Sequence, residues 1–325
     1  MGLSVKRSAV ISLNSRLELD KKGVAVNLEG RKLKDILNSF CKKNANKKNE
    51  NNKDSKENEE HISLEDMKKI HEKYLAEIQW QYLKDVNPPY DLNCNGPEKA
   101  KACEEYDEFK PTFLEKIFKN LGEKRKEKLL EAVKEAEKKD EKILGDYNKI
   151  HQLSCNVLCG DIDSYFQVID EMRPFDMLLE LGSEIEIGTN DSCSIEVEFK
   201  VNSENVMPKN KFNKEVYESD EEIEIAYYEF IEEYVCSSIL LIAKNIMNLI
   251  PGINKVIVHA VDNVVDLDKG IKTDVTILSI VIDRETLNKL SMKNINPIDA
   301  MDYFICNIRH QKAAGFRSVE RITQY

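Results

Sequence analysis

Apolar and polar positions alternate most clearly in the last third of the chain. Ile195, Val197, Phe199 and Val201 alternate with Glu196, Glu198 and Lys200, the two-residue period of a strand with one buried and one wet face. Residues 184–187 repeat the pattern, while 255–261 and 275–282 are apolar on both faces and predict interior strands. Between them, residues 217–250 run from acidic to apolar and end at Pro251-Gly252, which predicts a helix. Residues 161–181 read as one or two short helices interrupted at Arg173-Pro174, and 284–290 and 297–309 as two closing helices. Helices, two strands, a helix, two strands and helices predict a mixed α+β domain over residues 155–325.

The middle of the chain carries the helical period. Ser63 with Asp66 three residues on is an N-cap signal, and Met67, Ile70, Tyr74 and Ile78 follow at helical spacing until Pro88-Pro89. A shorter helix is expected over 98–109. Leu129, Val133, Ala136, Asp140, Ile143, Tyr147 and Ile150 form a narrow heptad seam with Asp140 as its polar interruption. About three heptads suit an antiparallel pair within the chain, with 67–82 as partner, or a dimer. This makes 61–154 a helical region with a coiled-coil arm.

At the other end, 16–20 and 24–28 alternate around Lys21-Lys22-Gly23 and predict a β-hairpin. With a short helix over 31–43 it forms a small β module over 1–43. Residues 44–60 are nearly free of apolar side chains and read as a flexible linker.

Composition narrows the classes. The chain has 325 residues, enough for two domains, and no apolar run of membrane-spanning length. Residues 1–10 lack the apolar core of a secretory signal, so the expected location is cytoplasmic. The eight cysteines are scattered, and Cys155 with Cys159 supplies only two ligands, which fits reduced thiols better than a zinc site. The net charge of −11 is uneven: residues 1–58 hold 14 basic against 7 acidic side chains, and the rest carries −18. A basic arm on an acidic body permits nucleic-acid contact through residues 1–58; the plainer reading is a solvated, lysine-rich linker.

Two stretches resemble known bacterial sequences. Met1-Gly2, Lys6-Arg7-Ser8, Arg16-Leu17, Leu19 and Lys21-Lys22-Gly23-Val24 are similar to the opening of domain-of-unknown-function family 4236. Glu18 and Asp20 stand where that pattern favours Asn and Ser. Asp161-Ile-Asp-Ser-Tyr-Phe166, Gly182-Ser-Glu-Ile-Glu-Ile-Gly-Thr189, Val258-His-Ala260 and Asp283-Arg-Glu-Thr-Leu287 resemble the C-terminal region of its larger members. The resemblance implies a bacterial intracellular protein and carries no activity, substrate or cofactor.

One constellation has chemical promise. Glu198 and Lys200 share a strand face; with Glu184, Glu186 or Asp176 as a second acid they would hold Mg²⁺, and Lys200 would position or deprotonate the attacking water of a metal-dependent nuclease. The same residues equally fit a solvated, salt-bridged face. His259 acts as a base only if folding brings it a nucleophile such as Ser237, Ser238 or Ser279. No glycine spacing for phosphate binding is present. The leading expectation is therefore a non-enzymatic interaction or scaffold protein, without cofactor, that engages a protein partner or itself through the helical region and does not enter a membrane. The nuclease, with Mg²⁺, and a nucleic-acid-binding regulator acting through the basic arm are the alternatives.

Overall fold

The computed structural model describes residues 3, 5, 7–11, 63–91, 93–113, 117, 119–212, 217, 219–266 and 271–323. The expected hairpin over 16–28, helix over 31–43 and linker over 44–60 lie outside them. In chain order the elements begin with β1 (Arg7–Ile11), α1 (Leu64–Lys68), a 3₁₀ turn (Ile70–Lys73), α2 (Trp80–Asp85), α3 (Pro97–Asp107) and α4 (Lys119–Leu158). Next come α5 (Ile162–Met172), α6 (Asp176–Glu180), β2 (Glu184–Thr189), β3 (Ser194–Lys200), α7 (Ser203–Val206) and α8 (Asp220–Leu249). The chain closes with β4 (Lys255–Asp266), β5 (Ile271–Asp283), α9 (Arg284–Lys289), α10 (Pro297–Met301), β6 (Ile305–Ile308), β7 (His310–Gln311) and β8 (Gly315–Phe316). The fold class is α+β.

Two units separate. The first takes described residues from 3–11, 63–78 and 156–323, and the second takes 79–155. Residues 63–78 thus belong with the C-terminal domain rather than with a helical region running from 61 to 154.

In the first unit β1 to β6 lie side by side in chain order. Every neighbouring pair is antiparallel except β3–β4, which is parallel and joined through α8. The alternation read from the sequence decides the register. Ile185 pairs with Phe199, Phe199 with Ala260 and Ala260 with Leu278, so one buried row crosses the sheet. Burying a side chain of this size contributes about 2 kcal/mol. Helix α8 is nucleated by Ser219, whose side chain accepts the Glu222 N–H, and Asp220, Glu221 and Glu222 face the positive end of its dipole. From Tyr234 to Ile250 nearly every side chain is buried, polar Ser237, Ser238 and Asn245 included.

Those polar residues break the helix expected over 67–82. Asn245 accepts the Leu75 N–H through Oδ1 at 2.7 Å and donates to the Pro174 carbonyl at 2.8 Å. Asn248 donates to the Leu75 carbonyl at 2.7 Å, and its own carbonyl accepts the Ile78 N–H at 3.1 Å. Backbone groups that a helix would pair internally are taken by α8, and residues 74–79 are not helical. The helix expected over 297–309 stops at Met301 for a related reason: residues 305–308 pair with the open edge of β5.

In the second unit the heptad seam is used as a packing face. Ala136, Asp140, Tyr147 and Ile150 are buried, while Ile143 is 39% exposed. The Tyr147 hydroxyl donates to the Val86 carbonyl at 3.0 Å and the Tyr90 hydroxyl to the Asp140 carbonyl at 3.1 Å. Among the described residues of this unit, segment 86–99 thus meets the seam. No helix among the described residues is long and apolar enough to cross a membrane.

Candidate functional site

The sheet face turned away from the β-sheet's apolar rows carries the chemistry-bearing residues. Period-two alternation puts Glu196, Glu198 and Lys200 there from β3. Register adds Glu186 opposite Glu198, His259 beside Glu198, and Ser279 opposite His259. A register shift between Ala260 and Val261 brings Thr276 opposite Val261 and onto the same face. Residues 317–323 lie across it as a strap. The Val319 N–H donates to the Thr276 carbonyl at 2.9 Å, and Asn307 donates to the Glu320 carbonyl at 3.0 Å.

Three of the candidates, Glu198, Lys200 and Asp176, have structural partners. Glu198 accepts from the Arg321 guanidinium at 2.7 Å, and the same guanidinium donates to Thr276 Oγ1 at 3.0 Å. Lys200 lies 3.5 Å from Asp274 and 3.9 Å from Glu184. The Lys200 ammonium and the bond from Asn263 hold the Asp274 carboxyl below its ordinary range, the Asn263 bond contributing most. Asp176, at the start of α6, is held by both oxygens to Arg173 Nε at 2.8–2.9 Å. Glu186 and Glu198 are therefore neighbours, and Asp176 belongs to a different ion pair. Among the described residues, no three His, Cys, Asp or Glu side chains come together as a metal-holding group.

Folding does supply His259 with a hydroxyl. His259 Nδ1 lies 2.9 Å from Ser279 Oγ, and Nε2 lies 3.2 Å from Glu196 Oε1. With Ser279 donating to Nδ1, the proton on Nε2 is left to meet the Glu196 carboxylate, so both ring nitrogens are satisfied. This is the order of groups in a serine nucleophile, its base and an orienting acid. Here, however, Ser279 and His259 are buried, and Ser279 Oγ also accepts the Ile322 N–H at 3.0 Å. As folded, the line of bonds runs from Glu196 through His259 and Ser279 into the strap and holds it down.

Arg321, Thr276 and the strap were not legible in the sequence. Arg321 is 123 positions from Glu198, and neither residue carries a local pattern that announces the other. A second His–Ser contact, between His71 Nδ1 and Ser237 Oγ at 2.6 Å, ties the 3₁₀ turn to α8. Burial lowers the His71 pKa, and its Nε2 has no hydrogen-bond partner among the described residues.

A cavity opens past Lys200, the last β3 residue paired with β4. It measures about 290 Å³, and its lining includes Ser203, Asp262, Tyr227 and Phe316. Asp262 accepts the Ser203 N–H at 3.1 Å, and burial raises the pKa of its carboxyl. Comparison with known proteins finds no matching family model, curated protein or solved structure.

Proposed function

We propose that this protein is a non-catalytic interaction protein that associates with a second copy of itself through its helical region. The carrying observation is an apolar stripe: Phe113, Ile117 and Leu121 follow at intervals of four residues and are 78%, 58% and 58% exposed. Residues 113, 117 and 121 are each helical, and side chains four apart share a face wherever the helix is continuous. Three large apolar residues in register are more than the scattered exposure ordinary surfaces carry. The stripe is also symmetric about Ile117. An antiparallel second copy sets Phe113 against Leu121 at both ends and Ile117 against itself, the self-complementary contact that a two-fold dimer requires.

Support also comes from the sheet. Glu198 and Lys200, the groups a metal-dependent nuclease would use, are engaged by Arg321, Asp274 and Glu184. Light scattering coupled to size exclusion tests the reading. The expected result is a dimer that becomes monomeric when Phe113, Ile117 and Leu121 are all changed to Ser. A wild-type monomer at every concentration overturns it.

A further inference from the structure

The cavity beside β3 and β4 is built in two zones. Its inner wall is buried and aromatic, with Tyr227 and Phe316 each under a tenth exposed and the Asp262 carboxyl set among them. Its rim carries Lys209, Lys272 and Arg317 together with Glu204. Lys209 is already engaged: its ammonium lies 5.1 Å from the Tyr227 ring centroid, donates to the Tyr228 hydroxyl at 2.9 Å and lies 3.8 Å from Glu224. Lys272 pairs with Glu204. Arg317 bonds the neutral Gln311 oxygen at 3.2 Å, and no carboxylate pairs with it among the described residues.

The geometry points to a binding site for a purine nucleoside monophosphate, base inward and phosphate at the rim. A flat base suits the aromatic wall, and the carboxylate inside it calls for N–H donors rather than acceptors. Guanine offers two adjacent donors on its Watson–Crick edge, which match two carboxylate oxygens, whereas adenine offers a single amino group there. The phosphate then meets Arg317, and burial of the base supplies what a free phosphate at an open rim lacks. The volume of about 290 Å³ lies at the small end of ligand cavities, which suits one base and its sugar with the phosphate left outside. This site is independent of the association proposed above, since none of its residues belongs to the stripe.

Isothermal titration calorimetry on the full-length protein tests it, with guanosine 5′-monophosphate, guanosine, adenosine 5′-monophosphate and inorganic phosphate as probes. Guanosine monophosphate should bind about tenfold or more tightly than either guanosine or adenosine monophosphate. Arg317→Gln should weaken guanosine monophosphate by about tenfold and leave guanosine unchanged. Asp262→Asn should abolish the preference for guanine over adenine. Because Asp262 also holds the Ser203 N–H, its fold is checked by thermal melting, and the rim variant stands as the test if that melt is lost. Three results overturn the proposal: no heat from guanosine monophosphate at roughly 1 mM, phosphate alone binding as tightly as the nucleotide, or an unchanged titration in Arg317→Gln.

Discussion

The carboxylate of Asp140 stands where the N-cap side chain of α3 would be. Gly96, the N-cap residue, has no side chain to offer, and Asp140 in α4 accepts the Glu98 N–H at 3.2 Å and the Lys99 N–H at 2.8 Å. A Cβ on Gly96 would sit 2.3 Å from Asp140 Cγ, so the missing side chain and the cap from the other helix occupy the same space. The polar interruption of the heptad seam is thereby the residue that fixes α3 against α4.

Asp140→Ala should lower stability by about 2 kcal/mol, the upper end for a lost cap, because two backbone donors lose their acceptor at once. Gly96→Ala should cost a similar amount by displacing the carboxylate. The two losses should be less than additive in the double variant, since removing the carboxylate also removes the clash. Urea unfolding of the three variants measures this, and full additivity would show that the two positions act separately.

The strap gives a second prediction. Arg321 and Glu198 are 16% and 20% exposed at the side chain, so their ion pair is shielded but not sealed. Arg321→Ala should destabilise by about 2 kcal/mol, below the cost of breaking a fully buried pair, and should speed proteolysis within residues 317–323. Glu198→Gln retains an acceptor for the guanidinium and should cost less than half as much. A double-mutant cycle on urea midpoints reads the coupling; a cycle energy near zero would detach the strap from Glu198.

The alternation of Ile195, Val197 and Phe199 with Glu196, Glu198 and Lys200 was legible because burial on one face of a strand writes itself into every second residue. The break at Arg173 was legible too: it adopts a left-handed φ of 49° just before Pro174 and ends α5. The irregular backbone at 74–79 was not, because its cause lies about 170 residues away in Asn245 and Asn248. Read locally, those two residues only interrupt an apolar run. The candidate site divided in the same way. The face shared by Glu198 and Lys200 follows from period two, but the arrival of Ser279 at His259 depends on the pairing of β4 with β5. The placement of Arg321 depends on where the chain returns after β8.

Asn245→Ala tests that distant cause. It leaves the Leu75 N–H and the Pro174 carbonyl without their partner, and two stranded backbone groups should cost about 3 kcal/mol together. The loss should be local as well as global. Amide exchange at Leu75 should rise well above that of β4 and β5, whereas a uniform rise across the domain would place the defect in the core of α8.

Alkaline pH should destabilise the first unit through its buried phenols. Burial pushes the Tyr234 hydroxyl up to about 12, and Tyr227 is raised to about 12 by the same cause. In the unfolded chain a phenol loses its proton near pH 10. Above that pH the unfolded state therefore holds fewer protons than the folded one, and stability falls as pH rises from 10 toward 12. For Tyr234 alone the loss over that window is about 3 kcal/mol. Tyr234→Phe removes the titrating group and the hydrogen bond to Ser183 Oγ, 3.2 Å away. The variant should be about 1 kcal/mol less stable than the wild type at pH 8, and more stable by pH 12. Urea unfolding at pH 8, 10 and 12 gives the comparison, and parallel curves without a crossing would mean that Tyr234 ionises freely in the folded protein.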